Sequence, residues 1–405
     1  MQILLRLVPV VFVAMLSACS REPVQRLDHE AYVWQRQWTP PIAASLDAMH
    51  GDFSGWRVLA AESNATGGLV DAAPRLDLLA RSAKPTIAVL RLNGSRPPPS
   101  ADAIAQRIAE LAVAWRAAGV PLAGIEIDHD CASAQLGAYA DLLAQLRPRL
   151  PAGLALSITA LPTWIGAPEL VRLLAPVDAS VLQVHAIAAP RAGSNDAGLF
   201  DAAQAQRWID TYAAVARKPF RVALPAYGLR VGFDESGGAV AVEGEMPRTI
   251  DASRTRELRV DPVEVSALLR RLEHAHPAQL AGVVWFRLPG EDDRRAWSAV
   301  TLHAVISGVE LRADFVVPTQ TAESGAVDIV LANRGTLDAP LPPSIEVVAN
   351  ECGAGDALAG FRIEKVGPGW QFFPTADAIL RAGHERRIGW VRCASIEKGL
   401  VHARP

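Results

Sequence analysis

The sequence has little of what nucleotide, metal or redox chemistry needs. Four cysteines and four methionines occur in 405 residues, and no Cys or His spacing suited to a metal stands out. No Gly-rich loop follows the first apolar strand, so a phosphate-cradling nucleotide fold is excluded. Formal net charge is −3, and no basic excess marks a nucleic-acid partner. The only long apolar run, Leu7 to Leu16, is too short to span a bilayer as a helix. No cofactor and no metal are expected.

What is present is a strand that ends in acid, Gly124-Ile125-Glu126-Ile127-Asp128-His129-Asp130. Successive strand side chains point to opposite faces. Ile125, Ile127 and His129 therefore share one face, and Glu126, Asp128 and Asp130 the other. At about 3.3 Å rise per residue, neighbouring carboxylates stand roughly 6–7 Å apart. Like charges in a partly buried row raise one another's pKa. One member should hold a proton near neutrality, as a general acid must. The plain alternative is a polar strand end capped by the helix that follows.

Eight strand-like segments alternate with helix-like ones between residues 28 and 306. The helix at Ala101–Ala118 shows the pattern most clearly, with Ile104, Ile108, Leu111, Ala112 and Trp115 on one face. Apolar strands alternating with amphipathic helices imply an α/β fold, a (β/α)8 TIM barrel. Its active site would sit at the carboxyl ends of the strands. Trp34, Asn93, Trp164, Gln183, His185, Tyr227, Trp285 and Arg287 fall at those ends and are the expected substrate-binding residues. Several aromatic residues there suit stacking on sugar C–H groups. Beyond Val309, short alternating runs split by Pro and Gly predict a small β-sandwich, at 307–405. Cys352 and Cys393 lie in it and form the expected disulfide; Cys131 is expected to be a small packed residue.

The acid row resembles the Asp-Gly-x-Asp-x-Asp-x-Glu signature of the family 18 glycoside hydrolases, chitinases and their relatives. Here it reads Ala123-Gly124-Ile125-Glu126-Ile127-Asp128-His129-Asp130. Spacing is kept, while Ala123, Glu126 and Asp130 depart from the family's Asp, Asp and Glu. Leu224-Pro-Ala-Tyr-Gly228 resembles the Leu-Pro-x-Tyr-Gly that follows strand seven in these barrels. Gly282-Val-Val-Trp285 resembles their Gly-x-x-x-Trp strand eight with one spacer fewer. The segment from Leu229 to Val260 matches where many of them insert a small subdomain. The resemblance implies that Asp130 donates the proton, that Asp128 and Glu126 tune it and position the substrate, and that Trp285 floors the central subsite. It also implies an apolar, raised-pKa setting for Asp130, whose side chain is one methylene short of the family's Glu. Strand six departs furthest. The family's Met-x-Tyr-Asp, which holds the reacting acetamido group, is here Gln183-Val184-His185-Ala186.

At the amino terminus Leu16-Ser17-Ala18-Cys19 is similar to a bacterial lipobox. That resemblance implies a signal peptide over 1–18, lipid on Cys19, a linker over 19–27, and, with Ser20 next, an outer-membrane destination. The whole-chain pattern also resembles an uncharacterised family of bacterial lipoproteins. The expectation is an envelope-anchored barrel, 28–306, that binds and hydrolyses a polysaccharide or peptidoglycan-type glycan. A silent glycan-binding lipoprotein and a structural envelope lipoprotein stay open as alternatives.

Overall fold

The structure is a computed structural model that describes residues 26–64, 67–187, 198–244, 249–252, 254–321, 326–358 and 360–402. Cys19 and the lipobox lie outside the described residues. Seven parallel strands come first: β1 (Asp28–Val33), β2 (Gly55–Ser63), β3 (Thr86–Leu92), β4 (Leu122–His129), β5 (Ala155–Ala160), β6 (Ala179–Gln183) and β7 (Phe220–Pro225). A three-stranded antiparallel sheet follows, made of β8 (Gly228–Phe233), β9 (Ala239–Glu243) and β10 (Arg254–Arg259). The eighth barrel strand is β11 (Leu280–Phe286). β1 pairs in parallel with both β2 and β11, so the sheet closes on itself. This is a TIM barrel, with its ring running β1–β7 and then β11. The insert hangs from the end of β7, as its position in the sequence implies.

Two apolar clusters hold the barrel. The outer one lies between the strands and the helices. The helix Ala101–Ala117 shows how it forms: Ser100 caps it by accepting from Ala103 N at 3.2 Å, and Ile104, Ile108, Leu111 and Trp115 bury one stripe. The inner cluster joins Tyr32, Trp34, Leu59, Val89, Val181, Ala223, Val284 and Phe286. The floor of the barrel is polar. Arg57 donates to Glu30 at 2.6 Å and also to Glu126, and Arg221 reaches Glu30 at 2.9 Å. Buried charges of this kind persist only when paired.

The carboxyl-terminal region is a β-sandwich of antiparallel sheets around its own core, with Ile329, Leu331, Ile345, Val347, Phe372 and Ile388 buried. Cys352 and Cys393 are joined by a disulfide, with Cα atoms 3.9 Å apart. Asp338 ties this region to the barrel by accepting from Ser298 N and Oγ, both at 2.7 Å, at the start of the last barrel helix (Ala299–Ser307). Among the described residues no helix is long and apolar enough to cross a membrane.

Candidate active site

The two acids of β4, Glu126 and Asp128, and Asp130 just beyond its end border the barrel interior or its mouth at successively higher levels. Glu126 is fully buried and forms part of the floor. Tyr32 donates its hydroxyl to Glu126 Oε1 at 2.6 Å, Arg57 donates to Oε2, and Ser157 lies 3.3 Å from Oε2. Burial raises its pKa while Arg57 opposes that shift. Glu126 does not line the cavity above it. Its expected place beside the substrate is therefore corrected: it holds the barrel floor.

Asp128 and Asp130 are at the mouth. Both line a cavity of about 700 Å³ at the carboxyl ends of the strands, with Trp34, Arg91, Thr159, Gln183, His185, Tyr227, Phe286 and Arg287. Arg91, in register beside Asp128 on β3, bridges the pair. Its Nη1 donates to Asp128 Oδ2 at 2.7 Å and its Nη2 lies 3.4 Å from Asp130 Oδ2. Burial, then the charge of Asp130, push Asp128 up to about 6, and Arg91 only partly offsets them. Asp130 follows the end of β4, its side chain 30% exposed, and its Oδ1 has no hydrogen-bond partner. The chain after β3 passes so close that a Cβ on Gly94 would come within 1.8 Å of the Asp130 carbonyl oxygen. Gly94 is thus required by the path that sets Asp130.

The rest of the mouth is built from locked side chains. His185 is buried and its Nδ1 lies 3.2 Å from the Tyr227 hydroxyl; burial pushes its pKa down to about 3, so it stays neutral. Gln183 donates to the His185 carbonyl at 3.1 Å. Arg287 stacks over the Tyr227 ring at 5.6 Å and forms an ion pair with Asp293 at 2.5 Å. Trp34 packs edge-on against Tyr32 and tilted against Phe286, with Arg91 above it at 5.7 Å.

Three expected contacts move elsewhere. Trp285 points outward: it is fully buried between barrel and helices, donates to His29 Nδ1 at 3.0 Å and packs on Trp297. Side chains alternate along a strand, so a one-residue difference in spacing reverses the face. Counting three spacer residues from Gly282 reaches Phe286, and Phe286 is what lines the mouth. Trp164 is also core; it donates to the Cys131 carbonyl at 2.9 Å and packs against Tyr139. Asn93 is exposed and closes a local turn, its Oδ1 accepting from Ser95 N at 2.9 Å, away from the cavity lining. Cys131 is buried and its thiol is pushed up to about 11, which makes it unreactive. Among the described residues no three His, Cys, Asp or Glu side chains gather as metal ligands would.

Arg91, Arg57 and Tyr32 were not expected from the sequence. A signal existed for both arginines: each interrupts an otherwise apolar strand, and a buried Arg needs a buried acid.

The sequence matches a family described as a domain of unknown function, DUF3142, over residues 82–291, and a second, DUF8456, over 316–394. No curated protein matches. Similar solved structures include the spore cortex-lytic enzyme SleL of Bacillus cereus, 13% identical, TM-score 0.48, covering 66% of this chain and 73% of that one. A chitinase of Chromobacterium violaceum is 17% identical, TM-score 0.48, covering 70% and 98%. A class V chitinase of Pseudomonas fluorescens is 15% identical, TM-score 0.48, covering 70% and 100%.

Proposed function

We propose that this chain, which belongs to the DUF3142 family, binds a glycan in the barrel mouth and hydrolyses a glycosidic bond there. One observation carries the reading: two carboxylates, bridged by one arginine, stand in an aromatic-lined cavity, and Asp128 holds its proton up to about pH 6. A carboxylic acid kept neutral near working pH is what protonation of a leaving oxygen requires. Asp130 is the member that meets the sugar, since its side chain is the more exposed of the two. Asp128 is its proton partner, and Arg91 fixes the two relative to each other. Trp34, Tyr227 and Phe286 offer the apolar faces that sugar rings pack against. The lipobox supports an anchor at Cys19 and a place in the envelope, facing the periplasm from the outer membrane. A Cys19→Ala variant that stays in the membrane fraction would refute that anchor.

The test is turnover on chitin, peptidoglycan and polyglucosamine fragments. Asp130→Asn should lose about 100-fold or more of the rate with glycan affinity and melting temperature retained. Full activity in that variant removes the acid pair from the chemistry. One observation favours a second reading, a silent glycan binder. In the strand-six slot His185 is committed to Tyr227, and Ala186, at φ 52°, has no group to hold an acetamido arm. Binding through Phe286 and Tyr227 without turnover on any of the three substrates would establish that reading instead.

A further inference from the structure

Protonating a leaving oxygen is half of a glycoside hydrolysis. An electron pair must also reach the anomeric carbon. In the family the acid row resembles, the substrate's own acetamido group supplies it, and the strand-six slot here cannot hold that group. A second carboxylate is needed, and the cavity contains one that the acid row does not include.

Glu243 is the last residue of β9 in the insert, and it is buried. It lines the same cavity as Asp128 and Asp130. In the ring β4 stands diametrically opposite β11, and the insert hangs from β7, the neighbour of β11. Glu243 therefore reaches the cavity from the wall across from the acid pair. Its position is built: Arg295 Nη2 lies 2.9 Å from Oε1, and Arg230 lies 3.7 Å from Oε2. Arg295 is held in turn by Glu257 at 3.4 Å. Oε2 is buried and has no hydrogen-bond partner. A buried carboxylate oxygen without a donor is costly, and a water or sugar hydroxyl would relieve it. A groove of about 760 Å³ adjoins the cavity here, with Tyr227, Glu243 and Gly244 lining both.

We propose that Glu243 is the general base of an inverting hydrolysis. Glu243 takes a proton from a water held at Oε2. The oxygen of that water bonds to the anomeric carbon as the bond from that carbon to the leaving oxygen breaks. Asp130 delivers the acid pair's proton, the one Asp128 holds, to the leaving oxygen, which departs as an alcohol; Glu243 then loses its proton to solvent and the pair regains one. The substrate class is a glycan whose cleaved sugar needs no N-acetyl group, de-N-acetylated hexosamine chains included. This rests on the hydrolase reading above.

The test uses the whole mature chain and glucosamine, N-acetylglucosamine and peptidoglycan oligosaccharides. NMR of the first product should show the inverted anomer. Glu243→Gln should lower kcat about 100-fold or more with KM little changed, and Glu243→Ala should regain part of its rate in azide while forming the inverted glycosyl azide. A product of retained configuration, or parental kcat in Glu243→Gln, overturns the assignment and leaves the hydrolase reading standing. A parent that binds these glycans without turnover overturns Glu243 as base and leaves the site a binder. A parent that neither binds nor cleaves them overturns both. A retained anomer in the parent's product overturns the assignment even if the variants fold poorly.

Discussion

Glu126 and Asp128 leave the same face of β4 two residues apart, and the barrel treats them in opposite ways. Glu126 meets Arg57, Tyr32 and Ser157 at once and has no contact with the cavity. Asp128 meets one arginine, which it shares with a second carboxylate, and opens on the cavity. Both are buried, and burial drives both pKa values up. What separates them is what they face: Glu126 is enclosed by Arg57, Tyr32 and Ser157, whereas Asp128 borders the cavity and the charge of Asp130. An interior acid enclosed by donors is part of the frame; one that borders a cavity is open to what enters it.

The sharpest way to break the comparison is to delete each side chain. Glu126→Ala leaves Arg57 with one carboxylate fewer in a buried site, and removing one partner of a buried pair costs about 3–5 kcal/mol. Denaturant unfolding should show that loss. Asp130→Ala, at a half-open position, should cost a small fraction of it. Equal losses at the two positions would mean that the row is one structural unit.

A second way uses pH. Asp128 binds its proton more tightly folded, to about 6, than unfolded, where an aspartate titrates at 3.8. Between those values the folded state holds a proton that the unfolded state has lost. Stability from this group is therefore complete below about pH 4 and is lost as pH rises through 6. At 1.4 kcal/mol per pH unit the loss is about 3 kcal/mol at most. Asp128→Asn should abolish that slope and unfold at higher denaturant than the parent at pH 7. Guanidinium midpoints at pH 4 to 7 read it directly. A slope unchanged in Asp128→Asn assigns it to another group.

Much of this was legible in the sequence. The eight strands and the shared face of the acid row follow from period-two and period-3.6 patterning, which burial enforces over long stretches, and the place of the insert from the family resemblance. Side-chain parity at a single position is more fragile. Gly282-Val-Val-Trp285 carries the right residue types, yet one spacer fewer turns Trp285 away and brings Phe286 in. Partners across strands were not legible at all. That Arg57 would meet Glu126, and Arg91 would meet Asp128, depends on the register between β2, β3 and β4. Glu243 was hidden for the same reason, being brought to the mouth by an insert whose docking no local pattern encodes. The parity difference itself predicts an outcome. Phe286→Ala should weaken glycan binding by about 1–2 kcal/mol, the scale of one buried ring face, while Trp285→Phe should lower stability and leave affinity unchanged. The reverse pattern, read by calorimetry and thermal unfolding, would return Trp285 to the site.

The smallest expected effect concerns the pair His185 and Tyr227 in the mouth. His185 is buried and neutral, its Nδ1 lies 3.2 Å from the Tyr227 hydroxyl, and its Nε2 has no partner. Tyr227→Phe removes one hydroxyl and keeps the ring under Arg287 and against Phe286. The imidazole then loses the hydrogen bond that orients it, at a cost of about 1 kcal/mol. Because burial holds His185 near 3, the loss should be the same at pH 5 and pH 8. A loss that grows toward pH 5 would mean that His185 takes up a proton there.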